Sequence, residues 1–487
     1  MKPDIPTAEP SVFSTNDRTE CPPSLGLSVL LLAGFVTIFD LFVVNVAIPS
    51  IQAGLAANLS QIGFIVAGYE LAFGVLLITG GRLGDQFGRR RLFVAGMAGF
   101  TVASLLCGFA PTIEFLIGAR VLQGLTAALL FPQVYASIRV NFSGDDSRRA
   151  FGFLGMTLGL AAISGQILGG FLVEADIFAL GWRVIFLINL PIGLFAIIMA
   201  RFIPETRATE RPFLDLPGVG LVSLALMFLL VPLIESPTLG WQMWSALSLA
   251  IAVALFIGFY HHQEWRSRAG HQPLVDMGLL RQARFAKGGA LVLLIYSTSS
   301  SFFLCFALLA QTGFHLSPFE AGLVFVPCSV AFVVLSMAAP KLVARMGPKV
   351  IAVSALVYAL SFAAMIAQVW LAGADLVVAH LIPVLVFTGG AQAMIMTPLL
   401  NLVLGFVEER QAGMASGVIS TLQQAGAALG VAAVGILFGT VVSGDVGGQS
   451  QSGLYACAFV SAMSYNFLAA FIAAILLISM ARFSRVS

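Results

Sequence analysis

The feature that most constrains this chain is a series of apolar runs along nearly its whole length, each long enough to cross a bilayer core of roughly 30 Å. Hydrophobic residues make up 59% of the 487 residues and charged residues only 10%. The first run begins near Leu25 and has no A-x-A-like cleavage site, so we interpret it as a retained helix and not as a signal peptide. The sequence therefore predicts an all-α polytopic membrane protein.

Fourteen runs qualify as transmembrane helices, and the basic residues support that number. Of the 25 Lys and Arg residues, all except Arg120 and Arg183 fall in a tail or beside a loop that follows an even-numbered span. The positive-inside rule then predicts a multi-pass protein with both termini in the cytoplasm. We expect its location to be a cell membrane, such as a bacterial inner or plasma membrane. The predicted spans are 25–48, 60–80, 92–110, 114–138, 149–173, 184–203, 216–235, 244–262, 287–311, 319–340, 349–371, 376–404, 411–442 and 453–481.

An internal repeat divides the chain. The stretch "GRLGDQFGRR" (81–90) has a degenerate counterpart in "PKLVARMGPK" (340–349), where Ala344 replaces Asp85, and 149–170 pairs with 411–430. Such repeats are typical of secondary transporters, which bind substrate where the halves meet. We therefore predict two pseudo-symmetric six-helix bundles and two inserted helices, arranged as a cytoplasmic tail (1–24), an N-terminal bundle (25–203), linker helices (204–270) and a C-terminal bundle (271–483).

Five stretches together resemble motifs of a known family. They are similar, in order, to the major facilitator superfamily and specifically to its fourteen-helix drug/proton antiporters. The resemblance covers nearly all of the chain after residue 25, and it implies drug efflux driven by the proton gradient, without a cofactor. The stretches are "FDLFVVNVAIP" (39–49), "GRLGDQFGRRR" (81–91), "RVLQGLTAA" (120–128), "WRVIFLINLPIG" (182–193) and "LDLPGVGL" (214–221).

Two of the family motifs suggest specific roles. In the resembling family, the loop after the second span is a cytoplasmic latch between the bundles, which assigns gating to Gly81, Asp85, Gly88, Arg89 and Arg90. The antiporter motif of the fifth span has the form G-x8-G-x3-G-P-x2-G-G. This chain departs from it, because Ala161 replaces a glycine and Gln166 replaces the proline. The remaining small residues still predict close packing of this helix against a neighbour; the motif residues are Gly165, Gln166, Gly169 and Gly170.

Three charged residues lie deep within predicted spans, away from the span ends: Asp40, Glu70 and Arg120. A charge within the bilayer costs roughly 2.5 to 3.5 kcal/mol even on lenient insertion scales, so each needs a partner or a function. Their depths allow all three to meet in the outer half of the N-terminal bundle. We predict that Asp40 and Glu70 carry the proton and that Arg120 tunes their pKa values. The alternative for Asp40 and Arg120 is a static ion pair that holds helices together.

The predicted substrate cavity lies between the bundles. Aromatic faces bind cations and planar drugs, and the ninth span combines small polar residues with an aromatic cluster. We expect export of amphipathic, cationic drugs or dyes in exchange for protons. The alternative is a proton-coupled exporter of one metabolite or self-made antibiotic on the same fold. The cavity residues are Asn45, Gln123, Tyr296, Phe302, Phe303 and Phe306.

Other classes of function lack a sequence signal. A membrane enzyme or receptor is not supported, because neither G-x4-G-K-[ST] nor G-x-S-x-G occurs. His261, His262 and Glu264 have a spacing similar to metal ligands, but we interpret them as a solvated interfacial face and predict no metal. A net charge of +2 without a basic stripe predicts no nucleic-acid partner. The expected partners are a small-molecule substrate, protons and the lipid bilayer. The sequence does not decide whether accessory envelope proteins are also partners.

Overall fold

The computed structural model of the protein is almost entirely helical and confirms the predicted fold class. It describes residues 13–15, 23–208, 214–239, 242–271, 273–347, 349–405, 407, 412–444 and 450–483. Within these ranges, 14 helical segments are long and apolar enough to cross a membrane. The N-terminal tail other than 13–15, and the C-terminal tail after 483, lie outside the described residues.

Short turns connect most of the helices. The first half contains α1 (Pro23–Leu55), α2 (Leu59–Phe87), α3 (Arg89–Gly108), α4 (Ile113–Asn141), α5 (Gly144–Glu174), α6 (Val184–Leu187) and α7 (Asn189–Met199). The inserted pair is α8 (Leu216–Leu239) and α9 (Met243–Arg268). The second half contains α10 (Met277–Arg281), α11 (Ala283–Ala307), α12 (Pro318–Met346), α13 (Lys349–Ala372), α14 (Ile382–Leu404), α15 (Ala412–Val442) and α16 (Gln451–Phe483).

Three of these helices, α6, α7 and α10, are too short to span a membrane alone. The sixth span comprises α6 and α7 with their flanking 3₁₀ turns, Gly181–Phe202, and α10 is a single short helix before α11. The ninth span continues from α11 into a π-helical segment, Leu308–Gly313. Most other helices extend several residues beyond the predicted ends, because polar residues at the membrane surface continue the helix after the apolar run stops. For example, Asn58 and Gln61 form a reciprocal capping box at the start of α2.

The two halves repeat the same packing. In the first half α2 packs on α4, α3 on α4 and on α7, and α1 on α5. In the second half the corresponding pairs are α12 with α14, α13 with α14 and α16, and α11 with α15. The inserted helices α8 and α9 pack on each other, and α8 also contacts α2 and α15. The structure thus has two pseudo-symmetric six-helix bundles with two helices inserted between them in sequence.

A short strand pair lies outside the helical bundles and was not predicted. Residues Phe13–Thr15 form β1, which pairs antiparallel with β2, Thr206–Ala208, in the register Phe13 to Ala208. The pair connects backbone of the N-terminal tail to the segment that follows the sixth span.

The bundles contact each other through two symmetric helix pairs, α2 with α15 and α5 with α12. Thr421 Oγ1 donates to the carbonyl of Gly74 at 2.9 Å, and Gln311 Nε2 donates to the carbonyl of Val46 at 2.9 Å. Where α5 meets α12, a Cβ at Gly170 would lie 2.5 Å from the carbonyl oxygen of Pro318. The backbones therefore approach closely at positions without a side chain.

Candidate functional site

A buried polar cluster occupies the interior of the N-terminal bundle. Arg120 Nη1 lies 2.6 Å from Asp40 Oδ2, and the two side chains are 1% and 0% exposed. Asp40 Oδ1 accepts hydrogen bonds from Gln123 Nε2 and Asn189 Nδ2, each at 2.9 Å. We call Asp40, Arg120, Gln123, Asn189 and Ser104, which accepts from Gln123 at 2.9 Å, the buried polar cluster.

The Arg120 guanidinium has further partners. Its Nε donates to the carbonyl of Ile65 at 3.3 Å, and its Cζ lies 4.2 Å from the ring centroid of Tyr69. An ion pair buried in this way persists only when hydrogen bonds satisfy its remaining atoms. Helices α1, α2, α4 and α7 supply these groups, so the pair connects four helices of one bundle.

Gln123 therefore lies in the buried polar cluster and not in the predicted cavity. It follows Arg120 by three residues, which places both side chains on the same face of α4. The sequence reasoning also missed Asn189 and Ser104. The signal for Asn189 was present, since it is the polar residue within the apolar stretch "WRVIFLINLPIG".

Glu70 does not meet Asp40 and Arg120. Its side chain is 1% exposed, and Oε1 accepts a hydrogen bond from Ser300 Oγ at 2.5 Å, across the boundary between the bundles. Its other oxygen, Oε2, has no hydrogen-bond partner among the described residues. The preceding residue, Tyr69, faces Arg120. Because successive residues on an α-helix point about 100° apart, Glu70 is directed toward α11 instead.

A narrow crevice lies between the bundles and contains three of the predicted cavity residues: Asn45 from α1, and Phe303 and Phe306 from α11. Gln166 of the fifth-span motif and Gln311 of the π-helical segment also line it. We call this space the bundle crevice. Its walls come from α1 and α5 on one side and from α11 and α12 on the other.

Two predicted cavity residues lie elsewhere. Phe302 is buried in the core of the C-terminal bundle, with ring centroids 5.7 Å from those of both Phe325 and Phe362. Tyr296 is hydrogen-bonded to Gln423 and does not line the crevice. Phe302 and Phe303 are neighbours on one helix, so only one of them can face the N-terminal bundle.

The glycines of the fifth-span motif contact two different helices. A Cβ at Gly165 would lie 2.8 Å from Cβ of Phe42, and one at Gly169 would lie 2.6 Å from Cγ2 of Val43, both on α1. Gly170 faces α12 instead. Close packing of α5 thus extends to α1 within its own bundle and to α12 in the other.

The predicted gating loop forms a network within the first half. Arg89 Nη2 pairs with Asp85 Oδ1 at 2.7 Å, and the backbone N–H of Arg90 donates to Glu205 Oε1 at 3.1 Å. Glu205, which the sequence reasoning missed, also lies 3.7 Å from Arg90 Nε. At Gly81 the nearest atom to a Cβ would be 3.8 Å away, on Pro132.

Gly88 is the position in this loop that requires glycine, so Gly88→Ala is expected to destabilise the protein. Its φ of +106° is a conformation that L-residues rarely adopt, and a Cβ there would lie 2.6 Å from Glu205 Oε1. The strain should cost about 1–3 kcal/mol, read as a lower unfolding temperature in detergent micelles. Gly118→Ala is the matched control, since its Cβ would meet nothing within 4 Å. Equal unfolding temperatures for the two variants would contradict this account.

A third buried carboxylate lies where the inserted helices begin and end. Asp215, immediately before α8, is 2% exposed and contacts His262 Nε2 at 2.9 Å and Gln263 Nε2 at 2.7 Å. Burial opposes ionisation, but these hydrogen bonds, with one from the Gly218 N–H and the nearby Arg266, hold the pKa of Asp215 below its ordinary value. His262 is therefore a partner of a buried acid, which corrects the prediction of a simple solvated face.

Because the pKa of Asp215 is lowered on folding, its ionised form stabilises the protein above its ordinary pKa of about 3.9. That contribution is lost as the pH falls through the lowered value. We expect Asp215→Asn to lower the unfolding temperature at pH 7 and the difference from the wild type to shrink in a titration below about pH 4. Asp375→Asn, at an exposed turn, is the control. A difference independent of pH would refute the role of ionisation.

The neighbouring residues of the predicted metal-like spacing have other partners. Glu264 pairs with Arg268 at 2.9 Å and with Arg281 at 3.2 Å. Across the described part of the chain, no group of three or more His, Cys, Asp and Glu side chains could hold a metal ion.

Two six-helix bundles, a buried ion pair within one of them and a buried acid at their boundary define a polytopic membrane transporter. The chain belongs to the major facilitator superfamily, whose family model matches residues 30–431, and this confirms the resemblance seen in the sequence. The superfamily is one of transporters and not of enzymes.

Relatives narrow the class further. The chain is 38% identical over 450 residues to the "Probable actinorhodin transporter" of Streptomyces coelicolor, covering 90% of this chain and 78% of the relative. It is 33% identical over 413 residues to the "Tetracenomycin C resistance and export protein" of Streptomyces glaucescens, covering 84% and 74%. A solved bacterial homologue of the human lysosomal transporter Spinster, inward-facing and unoccupied, has a TM-score of 0.68 at 15% identity, covering 94% and 97%. That likeness shows the fold, and the relatives are antibiotic export and resistance transporters.

Proposed function

We propose that the protein exports amphipathic, cationic drugs or dyes in exchange for protons by alternating access. The observation that carries the proposal is Glu70, a buried acid on α2 that is bonded across the bundle boundary to Ser300 and has one oxygen without a partner among the described residues. A carboxylic acid inside the membrane marks an ion or substrate pathway by default. Its position at the boundary exposes it to whichever side the bundles open.

The mechanism follows from the alternative occupants of Glu70. When the bundles separate, the bond from Ser300 breaks, and the carboxylate binds either a proton or a cationic group of the substrate. Each occupant displaces the other, so export of a cation is tied to entry of a proton. Exchange of one monovalent cation for one proton moves no net charge, so the pH difference drives it: one pH unit supplies about 1.4 kcal/mol, and no ATP and no cofactor is required.

The buried polar cluster supports a second proton site in the proposed mechanism. Arg120 lies within the same bundle as Glu70 and pairs with Asp40 at 2.6 Å. If Asp40 takes up a proton, the ion pair is lost and the four helices it connects can shift against one another. Asp40 is therefore the second proposed proton site, with Arg120 as its charge partner.

A second candidate function is export of a single metabolite or self-made antibiotic. Two relatives favour it, because their names refer to actinorhodin and to tetracenomycin C. Both candidates share the fold and the proton coupling, and they differ in the range of substrates.

The proposed location is the cell membrane of a bacterium, with both termini in the cytoplasm and protons, substrate and lipid as the partners. Proton-driven transport in inverted membrane vesicles tests the function, with a monovalent and a divalent cationic dye compared. We expect uptake that collapses when a protonophore removes the gradient. Uptake of one narrow compound only would favour the second candidate, and substrate-independent behaviour without proton flux would overturn both.

For the motif residues at the junction of α2 and α3 we propose a gating role, tested by Asp85→Asn. The substitution removes the charge that pairs with Arg89 at 2.7 Å, so we expect normal membrane insertion and a transport rate several-fold lower. Asp85 is 35% exposed and Arg89 is buried, and a helix pair at this i, i+4 spacing contributes about 0.3–0.5 kcal/mol to stability, so the unfolding temperature should change little. Normal transport rates in vesicles with matched protein amounts would refute the latch.

A further inference from the structure

The end of the ninth span departs from α-helical geometry. The segment Leu308–Gly313 is π-helical, and its backbone bonds span five residues, as in the bond from the Phe314 N–H to the Leu309 carbonyl at 3.0 Å. Segments of this kind add a residue to a helical turn and are frequent at functional sites. One added residue changes the direction of the side chains that follow it by about 100°. The π-helical register therefore decides where Gln311 points.

Gln311 points at the opposite bundle. Its side chain is 8% exposed, and Nε2 donates to the carbonyl of Val46 on α1 at 2.9 Å. Gln311 lies near the end of the ninth span, which the proposed orientation places at the outer surface. The hydrogen bond thus joins the outer ends of the two bundles.

Side chains at the start of α16 bind the π-helical segment from within its own bundle. Gln451 Nε2 donates to the carbonyl of Thr312 at 3.0 Å, and Ser452 Oγ donates to the carbonyl of Gly313 at 2.8 Å. Carbonyl groups in the last turn of a helix have no partner within that helix, so these two bonds stabilise the segment in its present register. The segment is thus bound to α16 on one side and to α1 on the other.

The bundle crevice, which Gln311 lines, is too narrow for a drug-sized molecule. Its volume of about 10 Å³ holds about one water molecule, whereas ligand pockets have roughly 300–1,000 Å³. Two buried atoms on its walls, Asn45 Oδ1 and Gln166 Nε2, have no hydrogen-bond partner among the described residues. Buried polar atoms are nearly always paired. These two therefore indicate a surface that meets water during part of the transport cycle.

We propose that Gln311 is the outer gate residue and that the π-helical segment switches this gate. In the π-helical register Gln311 holds α1, and the outer side is closed. In an α-helical register the same side chain rotates by about 100° away from α1, so the bond to Val46 breaks and the crevice opens outward. One turn with two registers supplies the discrete states that a gate needs. The inference deepens the proposed function, since it rests on alternating access and on cytoplasmic termini.

Thiol labelling from the outer side tests the gate without substrate or a proton gradient. Ala307→Cys, on the wall of the crevice, reports its opening in a chain whose five native cysteines are replaced by alanine. The probe is a charged, membrane-impermeant maleimide added to right-side-out vesicles. Loss of one hydrogen bond shifts an equilibrium about two- to tenfold, so we expect Gln311→Leu to raise the labelling rate about fivefold.

A second variant tests the register with Gln311 intact. The double substitution Gln451→Leu/Ser452→Ala removes both bonds from α16 to the π-helical segment, so the labelling rate should rise here too. Gln368→Leu is the matched control. It removes an amide that donates to the His380 carbonyl at 3.0 Å within the C-terminal bundle, and it should label at the rate of the parent protein.

The outcomes separate the gate, the switch and the proposed function. If Gln311→Leu lowers the unfolding temperature, Gln311→Met, which is unbranched and similar in length, replaces it. Equal labelling rates for the Gln311 variant and Gln368→Leu would overturn the gate. Faster labelling in the Gln311 variant, with the parent rate in the α16 variant, would overturn the switch between registers. Labelling as expected in a protein that shows no proton-driven dye transport would instead overturn the proposed function.

Discussion

Replacing Arg120 with methionine is expected to abolish proton-driven export and to destabilise the protein by about 3–5 kcal/mol, the cost of removing one partner from a buried ion pair. The substitution leaves Asp40, which is 0% exposed, as a buried carboxylate with only neutral hydrogen-bond donors. The unfolding temperature in detergent micelles measures the stability, and dye uptake by inverted vesicles measures the export.

The double variant Asp40→Asn/Arg120→Met separates the two roles of the pair. Without a buried charge, the remaining cluster can hydrogen-bond to the new amide, so we expect much of the lost stability to return. If Asp40 carries a proton, the double variant stays uncoupled although it folds. A double variant that is stable and pumps dye at the wild-type rate would show a static pair, which is the alternative that the sequence left open.

Glu70→Gln is expected to eliminate accumulation of substrate against a gradient. With one proton exchanged per cation and a pH difference of one unit, the wild type can sustain a concentration ratio of roughly tenfold across the membrane, and the variant should fall to equal concentrations. Glutamine keeps the size of the side chain and can still accept from Ser300, so the bundle boundary is retained. Proton release on substrate addition, recorded with a pH-sensitive dye in proteoliposomes, should disappear in parallel.

Glu114→Gln provides the control for Glu70. This carboxylate also lies in the first half, but at the start of α4, where Gln61 donates to it at 3.0 Å near the helix end. Its loss should leave both accumulation and proton release unchanged. Coupled accumulation in Glu70→Gln equal to that in Glu114→Gln would rule out Glu70 as a proton site and direct attention to Asp40.

Apolar length predicted the spans because a bilayer sets a minimum run that can be counted along one chain. The pairing of Asp40 with Arg120 was also accessible, since depth follows from position within a span. The direction in which a side chain points around its helix could not be predicted from the sequence. These helices are apolar on most faces, so periodicity does not show which face meets which neighbour, and Glu70, Gln123 and Phe302 were assigned to the wrong surroundings for this reason.

Contacts made by the segments that connect the spans could likewise not be predicted from the sequence. Glu205 lies after the sixth span, far from the loop whose backbone it binds, and its residue type alone gives no signal. Gln166 was recognised only as a departure from a motif. Its unpaired amide and its place beside Asn45 depend on the packing of α5 against both α1 and α12, which only three-dimensional structure provides.

The hydrogen bonds from Thr421 to Gly74 and from Gln311 to Val46 share a property that affects how the sequence of the bundle boundary can diverge. In each, a side chain of one bundle donates to a main-chain carbonyl of the other. Every helical residue offers such a carbonyl with a second lone pair, whatever its side chain. The accepting surface can therefore drift in sequence without losing the bond, and a donor displaced by one turn finds an equivalent acceptor. Sequence constraint at this boundary should therefore act on the donor side chains and on the glycines. The side chains of the residues whose carbonyls accept remain free to vary.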